Sequence, residues 1–363
     1  MSASGFLRVL CLTTLPTSGA GNRLRVEQYA APLRSNGIEL VVSSFFDEPS
    51  YRVLYLPGRT LAKGLGTLRG IARRLRDAAR AGRFDLVLVY RESAPIGPPL
   101  FERLLRIRRK PFVFDFDDAI FLGPIHPANR RWAWLRKPTR VLEATQLAAA
   151  VTTVNEYLAE WARRSNRDVA VIPTPVDTER FHPRSQRAGG HLVVGWIGSS
   201  TTAPYLHMLD DALSLLADRF DFTVRVIGGT YRHPRVRVEE WPWQLDTEPA
   251  DIATFDIGVV PEPDDPWTQG KGGFKAMLYM AVGIPVVASR VGVNPQVVRE
   301  GETGFCVGGT SEWVKALEQL ATNAALRERL GSAGRDRVEK HYSLRAHAPR
   351  LADVLTRAAG RSR

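Results

Sequence analysis

The chain is poor in cysteine: only Cys11 and Cys306 occur among 363 residues. They lie far apart in apolar surroundings, so we expect neither a disulfide nor a metal site, but two small buried residues in a reducing compartment. Long hydrophobic runs are also lacking. The longest, residues 276–289, is interrupted by Gly283 and Pro285 and is too short to cross a bilayer. These absences argue against a disulfide scaffold and against a helical membrane protein.

Several ligand-binding signatures are missing as well. The chain has no Walker loop, and after the first predicted strand the third glycine of G-x-G-x-x-G would fall at Leu24. The basic residues are not interleaved with a recognition helix or with RNP aromatics, so no nucleic acid is expected as a partner. Because MSASGFLRVLCLTT at the N-terminus runs directly into a predicted strand without a secretory signal, we expect a cytoplasmic protein.

The chain has an excess of positive charge, with 50 Lys and Arg against 38 Asp and Glu, a formal charge of +12 and a pI near 10.1. An arginine-rich proteome would explain this excess, and so would anionic partners. We favour anionic substrates together with an anionic membrane surface on the inner face of the membrane. The hydrophobic content of 44% is that of a globular protein, and the length suits two medium domains.

Predicted strands and helices alternate along the chain, which is typical of a parallel α/β sheet. Prolines at 173, 175 and 183 favour an extended linker over residues 172–183. The predicted strands are 7–12, 39–44, 86–90, 112–115, 149–154 and 169–172 before this linker, and 192–197, 222–227, 257–260 and 286–289 after it. Predicted helices include 26–35, 61–81, 157–164 and the amphipathic region 311–360.

The segment 270–304 predicts an anion site. Glycines from Gly270 onward form a turn that carries Lys271 and Lys275, and a helix is expected to continue to Ala281. Glycines let backbone N–H groups approach a ligand, a helix start directs its positive end there, and lysines at i and i+4 share one face of the first turn. Together they predict a phosphate site. The alternative is two solvated charges on an exposed helix end.

The same region resembles a known family. AMLYMAVGIPVVAS at 276–289, followed by GVNPQVVREGETGF at 292–305, is similar to the C-terminal signature of retaining glycosyltransferases of family 4. The resemblance implies the GT-B fold, with two Rossmann-like doubly wound domains facing across a cleft. It implies an acceptor-binding domain over 1–180, a nucleotide-sugar-binding domain over 181–345 and a final helix, 346–363, that crosses back. The nucleotide diphosphate-sugar would be a co-substrate, with no further cofactor and no metal.

The resemblance also implies donor-binding residues. Family members often carry two glutamates eight positions apart, which here are replaced by Gly270 and Leu278, so Asp264 and Asp265 are the nearest acids. Many relatives also place an Arg and a Lys after the strand that opens the second domain. This chain has Ser199 and Ser200 there, so we expect Lys271 and Lys275 to supply the positive charge. The donor-binding candidates are Gly21, Asn22, Gly198, Ser199, Ser200, Asp265, Gly270, Lys271 and Lys275. A plain turn with Asn22 as a helix cap is the alternative for the first two.

The acceptor side is expected at the ends of two strands in the first half. Asp115-Phe-Asp117-Asp118 follows one of them, and D-x-D is also the metal-binding pattern of GT-A transferases and a common helix cap. The Arg91 and Glu92 pair follows another, with a surface salt bridge as the alternative. The acceptor-side candidates are Arg23, Arg91, Glu92 and Asp117, and the catalytic candidates are Asp118, which would orient the attacking hydroxyl, Lys271 and Lys275.

Two basic stretches, 59–83 and 130–137, combine cations with leucines or tryptophans. Such a composition is typical of proteins that lie on anionic lipid, but also of packed helices with a solvated basic back.

The sequence therefore favours a retaining, metal-independent hexosyl-type glycosyltransferase with a glycan, glycolipid or small-molecule acceptor. Its rivals are a GT-B-like sugar-nucleotide epimerase, a metal-dependent GT-A transferase that uses Asp115 and Asp117, and a degenerate binding protein.

Overall fold

The computed structural model describes residues 5–123, 139–183 and 190–360. The chain forms two compact units, one of Met1–Pro175 with Leu344–Arg363 and one of Val176–Ser343. The prolines of the predicted linker lie at this division, since Pro175 ends the first unit. The basic stretch 130–137 lies outside the described residues.

The first unit contains a six-stranded parallel sheet. From one edge to the other, the sheet contains the second, first, third, fourth, fifth and sixth strand along the chain. The second strand is thus added on one side of the first and the third strand on the other side, although all the strands stay parallel. All six predicted strands are present, because their apolar runs are buried. The strands are β1 (Leu7–Thr13), β2 (Ile38–Ser44), β3 (Leu86–Tyr90), β4 (Phe112–Phe116), β5 (Ala150–Thr153) and β6 (Val169–Val171).

Near the N-terminus of the first unit, the observed helices differ from the predicted ones. The predicted helix 26–35 begins earlier, at Ala20, and is divided into two α-helices by a 3₁₀ turn, Glu27–Tyr29. In the part of the chain that the structure describes, no helix has the length and apolar content to cross a bilayer. The α-helices are α1 (Ala20–Arg25), α2 (Ala30–Ser35), α3 (Glu48–Leu54), α4 (Thr60–Arg80), α5 (Leu100–Ile107), α6 (Thr139–Leu147), α7 (Glu156–Arg163) and the C-terminal helix Leu344–Gly360.

The C-terminal helix belongs to the core of the first unit. Leu351 and Leu355 are buried in one apolar cluster with Val9 of β1 and Leu88 of β3. Its Arg350 donates to the carbonyl oxygen of Val171 at 3.0 Å. The first sheet is therefore completed by a segment that follows the second unit in the chain.

The second unit repeats the architecture with a second six-stranded parallel sheet. Its strands are β7 (Leu192–Ile197), β8 (Phe222–Ile227), β9 (Arg237–Trp241), β10 (Ile257–Val260), β11 (Val286–Ser289) and β12 (Gly304–Val307), arranged in the order β12-β11-β10-β7-β8-β9. The pattern gave no prediction for the edge strands β9 and β12, since β9 is polar and partly exposed. The predicted doubly wound α/β class is confirmed for both units.

Helices cover the second sheet. The buried side chains of one helix, from Ala276 to Ala281, form one apolar cluster, and a second cluster surrounds Leu213 and Leu317. The helices are α8 (Asp210–Ala217), α9 (Glu248–Ile252), α10 (Pro266–Gln269), α11 (Phe274–Ala281), α12 (Asn294–Val297), α13 (Thr310–Thr322) and α14 (Ala324–His341), with a 3₁₀ helix at Ala203–Leu209.

The long helix α4 presents its small residues to the protein and its leucines to solvent. Gly66 lies against Ser50, and Gly70 lies against the ring of Phe45, where a Cβ atom would come within 2.3 Å of the ring. Leu61 and Leu68 are exposed. The helix is packed, as the alternative for this stretch required, but the packed face is formed by the glycines and the leucines lie on the exposed side.

Two glycines of α4 test this orientation. Gly70→Ala is expected to destabilise the first unit by about 1–3 kcal/mol, because the new methyl group has no room beside Phe45. Gly64→Ala on the same helix is the matched control, since nothing lies within 4 Å of its Cβ position. It should stabilise by roughly 0.5–1 kcal/mol through helix propensity. Urea unfolding measures both, and stabilisation by both substitutions would show that another face of α4 is buried.

Candidate functional site

In each unit most candidate residues follow the two neighbouring strands at which the order of the strands reverses; Asp117 and Asp118 follow β4, the next strand of the first sheet. Ligands of doubly wound sheets bind beyond the carboxyl ends of the strands at that point. In the second unit the two strands are β7 and β10, which are hydrogen-bonded neighbours. In the first unit they are β1 and β3.

The turn after β7 contains Gly198, Ser199 and Ser200. The N–H of Gly198 donates to the carbonyl oxygen of Ile227 at 3.0 Å, which ties the turn to the next strand. A Cβ atom on Gly198 would come within 2.5 Å of the Trp196 ring, so only glycine fits here. Ser199 and Ser200 are exposed at the start of the 3₁₀ helix, where hydroxyls and backbone N–H groups are accessible. The turn can therefore donate hydrogen bonds to an anion.

The prediction that Lys271 and Lys275 share the first turn of a helix is wrong for Lys271, which lies before the helix. Helix α11 begins at Phe274, after Gly273 in a left-handed conformation with φ of 68°. The ammonium nitrogen of Lys271 lies 3.4 Å from Oε1 of Glu262 and 4.8 Å from the centre of the Tyr205 ring. The two lysines still converge, because the glycine turn folds Lys271 back over the end of β10.

Lys275 carries an ammonium group with no hydrogen-bond or ion-pair partner among the described residues. Its nitrogen lies 5.3 Å from the centre of the buried Trp196 ring. Tyr279, one turn further along α11, accepts a hydrogen bond from the N–H of Ile197 at 2.9 Å and thereby fixes the helix against the end of β7. The pKa of Lys275 is lowered to about 8, mainly because burial disfavours the charged form; the attraction of Glu262 opposes this shift and the positive charge of Lys271 adds to it.

Glu262 is the acid that the sequence analysis missed. It follows β10, is buried, and receives hydrogen bonds from Lys271 and, at 3.2 Å on Oε2, from the amide of Asn294. Its position two residues after a buried strand was the available signal. Glu262 holds Lys271 in place but does not form an ion pair with Lys275.

Asp265 and Gly270, both donor candidates, have local structural contacts. The carboxylate of Asp265 accepts from the N–H of Thr268 at 2.7 Å and caps α10, and Gly270 is buried at the end of that helix. Asp264 accepts from the side chain of Gln269 at 2.7 Å. The contacts of the two acids shape the turn that carries Lys271, and their role toward a sugar stays a prediction.

In the first unit, Arg91 connects the ends of β3 and β4. It has a positive φ of 59°, and its guanidinium group forms ion pairs with the carboxylates of both Asp117 and Asp118. The hydroxyl of Tyr90 donates to Asp117 at 2.9 Å. Burial alone would raise the pKa of Asp117, but the charge and hydrogen bond of Arg91 hold it below its usual value. The structure thus brings three predicted residues into one ion-paired network, in which one guanidinium group is shared by two carboxylates.

Glu92 does not pair with Arg91, so the alternative of a surface salt bridge between these two residues is wrong. The side chain of Glu92 is buried and lies 2.7 Å from the guanidinium group of Arg140 on α6. Arg91 and Glu92 therefore point to different partners. Arg91 forms the aspartate network, whereas Glu92 pairs with Arg140. Both Arg91 and Glu92 line a small cavity that Glu102 and Arg140 also line.

Gly21, Asn22 and Arg23 are part of helix α1 and not of a loop. A Cβ atom on Gly21 would come within 2.5 Å of the Tyr90 hydroxyl, so glycine places α1 beside the aspartate network. Asn22 is buried inside the helix and therefore does not cap it; its amide donates to Glu27 at 2.9 Å. Arg23 donates to the carbonyl oxygen of Thr17 at 3.3 Å.

Asp115 has a structural partner in place of a metal ion. Its carboxylate accepts two hydrogen bonds, at 2.7 and 2.9 Å, from the buried guanidinium group of Arg25. It also accepts from the hydroxyl of Thr152. In the described ranges no group of three or more His, Cys, Asp or Glu side chains is placed to hold a metal ion. The D-x-D spacing therefore separates a core ion pair from the exposed network of Arg91.

Removal of the carboxylate charge tests this assignment. Asp115→Asn should destabilise the protein by about 3–5 kcal/mol, because it leaves the charge of Arg25 buried without a partner. The double variant Arg25→Met/Asp115→Leu should recover most of that loss, since it removes both charges. Urea unfolding measures the stabilities. An Asp115→Asn variant with native stability and no activity would instead place Asp115 in the reaction.

Comparison with known families agrees with this arrangement. The profile described as Glycosyltransferase Family 4 matches residues 24–180, and the profile of Glycosyl transferases group 1 matches residues 191–323. Spore coat protein SA of Bacillus subtilis is 30% identical over 275 residues, which cover 65% of this chain and 72% of that protein. The D-inositol 3-phosphate glycosyltransferase of Actinosynnema mirum is 47% identical over 226 residues, 52% of each chain.

The chain spans about half the length of the inositol 3-phosphate glycosyltransferases of Corynebacterium glutamicum and Actinosynnema mirum that it matches. Solved structures agree over a greater length. Sucrose-phosphate synthase from Thermosynechococcus elongatus superposes with a TM-score of 0.73 at 16% identity, covering 98% of this chain and 99% of that one. Anabaena HepE in complex with UDP and glucose superposes with a TM-score of 0.69 at 16% identity, over 97% of this chain and 100% of that one. The chain belongs to Glycosyltransferase Family 4 and has the two Rossmann-like domains of the GT-B fold.

Proposed function

We propose that this protein transfers a sugar from a nucleoside diphosphate-sugar to an acceptor hydroxyl, with retention of configuration and without a metal ion. One observation carries the proposal: Lys275 is a partly buried cation without an ion-pair partner among the described residues, at the carboxyl ends of β7 and β10. A group that loses hydration without gaining a carboxylate is stabilised when an anion binds. A diphosphate supplies that anion.

The residues around Lys275 fit a diphosphate. Lys271 adds a second positive charge, and the turn of Ser199 and Ser200 offers hydroxyls and backbone N–H groups at the same end of the sheet. Charge-assisted hydrogen bonds of this kind are the strong ones in proteins. Anabaena HepE, which shares the fold, has been solved with UDP and with UDP-glucose. We therefore propose uridine diphosphate as the first nucleotide to test.

We propose that retention proceeds without a covalent intermediate on Glu262, the acid beside the two lysines. Glu262 uses both carboxylate oxygens, toward Lys271 and Asn294, so it is a poor nucleophile for the anomeric carbon. Without a protein nucleophile, the leaving diphosphate takes the proton of the attacking hydroxyl on the face from which it departs. The two lysines then stabilise the negative charge that develops on the leaving group, which is the task a metal ion performs elsewhere.

The network of Arg91, Asp117 and Asp118 is the proposed acceptor site. An ion-paired carboxylate is a weak base but a good hydrogen-bond acceptor, so Asp118 would orient the attacking hydroxyl and not remove its proton. Arg91 can donate to a second hydroxyl or to a phosphate, and Arg23 adds a cation nearby on α1. A glycan, a glycolipid head group or a phosphorylated small molecule fits such a site.

The donor site is tested by thermal unfolding with UDP, GDP, dTDP and ADP. One nucleotide at a hundred times its Kd should stabilise the native protein by about 2.7 kcal/mol. Lys271→Met/Lys275→Met should weaken binding by about a hundredfold or more, since each charged hydrogen bond contributes about 1.5–3 kcal/mol. Lys315→Met is the matched control, because Lys315 is an exposed lysine on α13 in the same unit.

The same nucleotide then identifies the reaction. With the matching sugar donor and an acceptor, we expect an α-linked product from an α-linked donor by NMR, and equal rates with and without a chelator. Loss of activity with the chelator would assign the reaction to a metal-dependent transferase. Conversion of the donor without an acceptor would assign it to an epimerase. Binding of none of the four nucleotides would leave a degenerate binding protein and contradict the proposal.

A further inference from the structure

Helix α4 exposes a continuous row of large aliphatic side chains. The exposed fractions are 87% for Leu61, 56% for Leu65, 64% for Leu68, 44% for Ile71 and 67% for Leu75. Steps of three and four residues place these side chains on one face of the helix. Solvent-exposed leucines are ordinary when they are scattered, but an apolar row of this length on one helix indicates an interaction surface.

The orientation of the row is fixed by the opposite face of α4. Gly66 and Gly70 make contacts with Ser50 and Phe45 that leave no room for a side chain. On the same inner face the buried Arg74 donates to the carbonyl oxygen of Thr13 at 2.6 Å. Rotating the leucines inward would break these contacts and bury larger side chains where glycine is required. The row therefore faces outward in the folded first unit.

Cations border the apolar row. Arg69 and Arg76 are exposed on α4, and their spacing places both on the same side of the leucines. Arg73 and Arg80 lie further round the helix and are partly buried. The acid of this helix, Asp77, is fully buried and forms ion pairs with Arg74 and Arg80. The exposed surface of α4 thus combines aliphatic side chains with positive charge only.

We propose that α4 binds the surface of an anionic lipid bilayer, a partner beyond the sugar-transfer reaction. The helix has 21 residues, or about 30 Å, and lies along the outside of the unit. Its leucines enter the boundary between head groups and acyl chains, and Arg69 and Arg76 contact lipid phosphates. Tyr55 and Leu56, which are exposed just before α4, extend the apolar surface.

Charge decides between lipid and a second copy of the chain. Two α4 helices packed through their leucines would bring their exposed arginines together without exposed acids of α4 to balance them. Like charges at a contact oppose association, whereas anionic head groups attract the same arginines. The net charge of +12 acts in the same direction over a longer range.

Vesicle sedimentation with the full chain tests the proposal. The vesicles contain phosphatidylcholine and phosphatidylglycerol in equal parts, or phosphatidylcholine alone. We expect binding only to the first, and weaker binding as salt is raised. Arg69→Gln/Arg76→Gln should lower the partition coefficient about thirtyfold, since each cation near the surface contributes about 1 kcal/mol. Leu61→Gln/Leu65→Gln/Leu68→Gln should lower it at least about tenfold through lost apolar burial.

The control is Leu100→Gln/Ile107→Gln on α5, where the two side chains are 64% and 78% exposed. It should bind like the native chain, and all variants should keep the native melting temperature because the substituted side chains are exposed. Loss of binding in the arginine variant with native binding in the leucine variant would show adsorption by net charge and overturn the proposal. A native dimer that the leucine variant dissociates, without vesicle binding, would assign the row to a second copy. If the native chain neither binds the anionic vesicles nor forms a dimer, the lipid assignment is overturned in favour of an acidic protein partner.

Discussion

The ammonium group of Lys275 is the feature on which the proposed reaction depends. Tyr279 fixes α11 against the end of β7, and the helix therefore holds Lys275 beside the Trp196 ring, away from bulk water. Glu262 could have neutralised this charge, but it is held by Lys271 and Asn294. The fold thus keeps one cation partly desolvated without a paired acid. Such a charge is costly in the free protein and favourable once a diphosphate binds, and most favourable as the leaving group gains charge.

The two units treat charge in opposite ways. In the first unit the carboxylates of Asp117 and Asp118 both pair with Arg91, so this network suits neutral hydroxyls that need orientation more than proton removal. In the second unit a positive charge is left for the ligand. Both arrangements occur where the strand order reverses, because polar residues at that point have no neighbouring crossover to cover them. One topology used twice therefore yields one site suited to an acceptor and one suited to a leaving group.

The fold class and the strands other than β9 and β12 could be predicted from the sequence, since each is an apolar run bounded by residues that end it. The segment that carries the proposed phosphate site could be predicted, but the position of Lys271 relative to the helix could not. The start of α11 depends on the left-handed conformation of Gly273, which the sequence does not specify. Glu262 was missed although it follows a buried strand, because a single acid at that position does not reveal its partners Lys271 and Asn294. The pair of Arg25 and Asp115 joins residues far apart in the sequence. For α4, an amphipathic pattern alone does not say which face is buried; Gly70 decides it.

The most direct test of the account is an NMR titration of the side-chain ammonium of Lys275 in protein labelled at lysine, with Lys275→Arg used to assign the signal. We predict a pKa near 8 in the free protein, and an increase toward the ordinary value of 10.5 when the nucleoside diphosphate that binds is added. The sign follows from charge: the anion stabilises the protonated form and so raises the pKa. A pKa near 10.5 in the free protein that the nucleotide leaves unchanged would contradict the account.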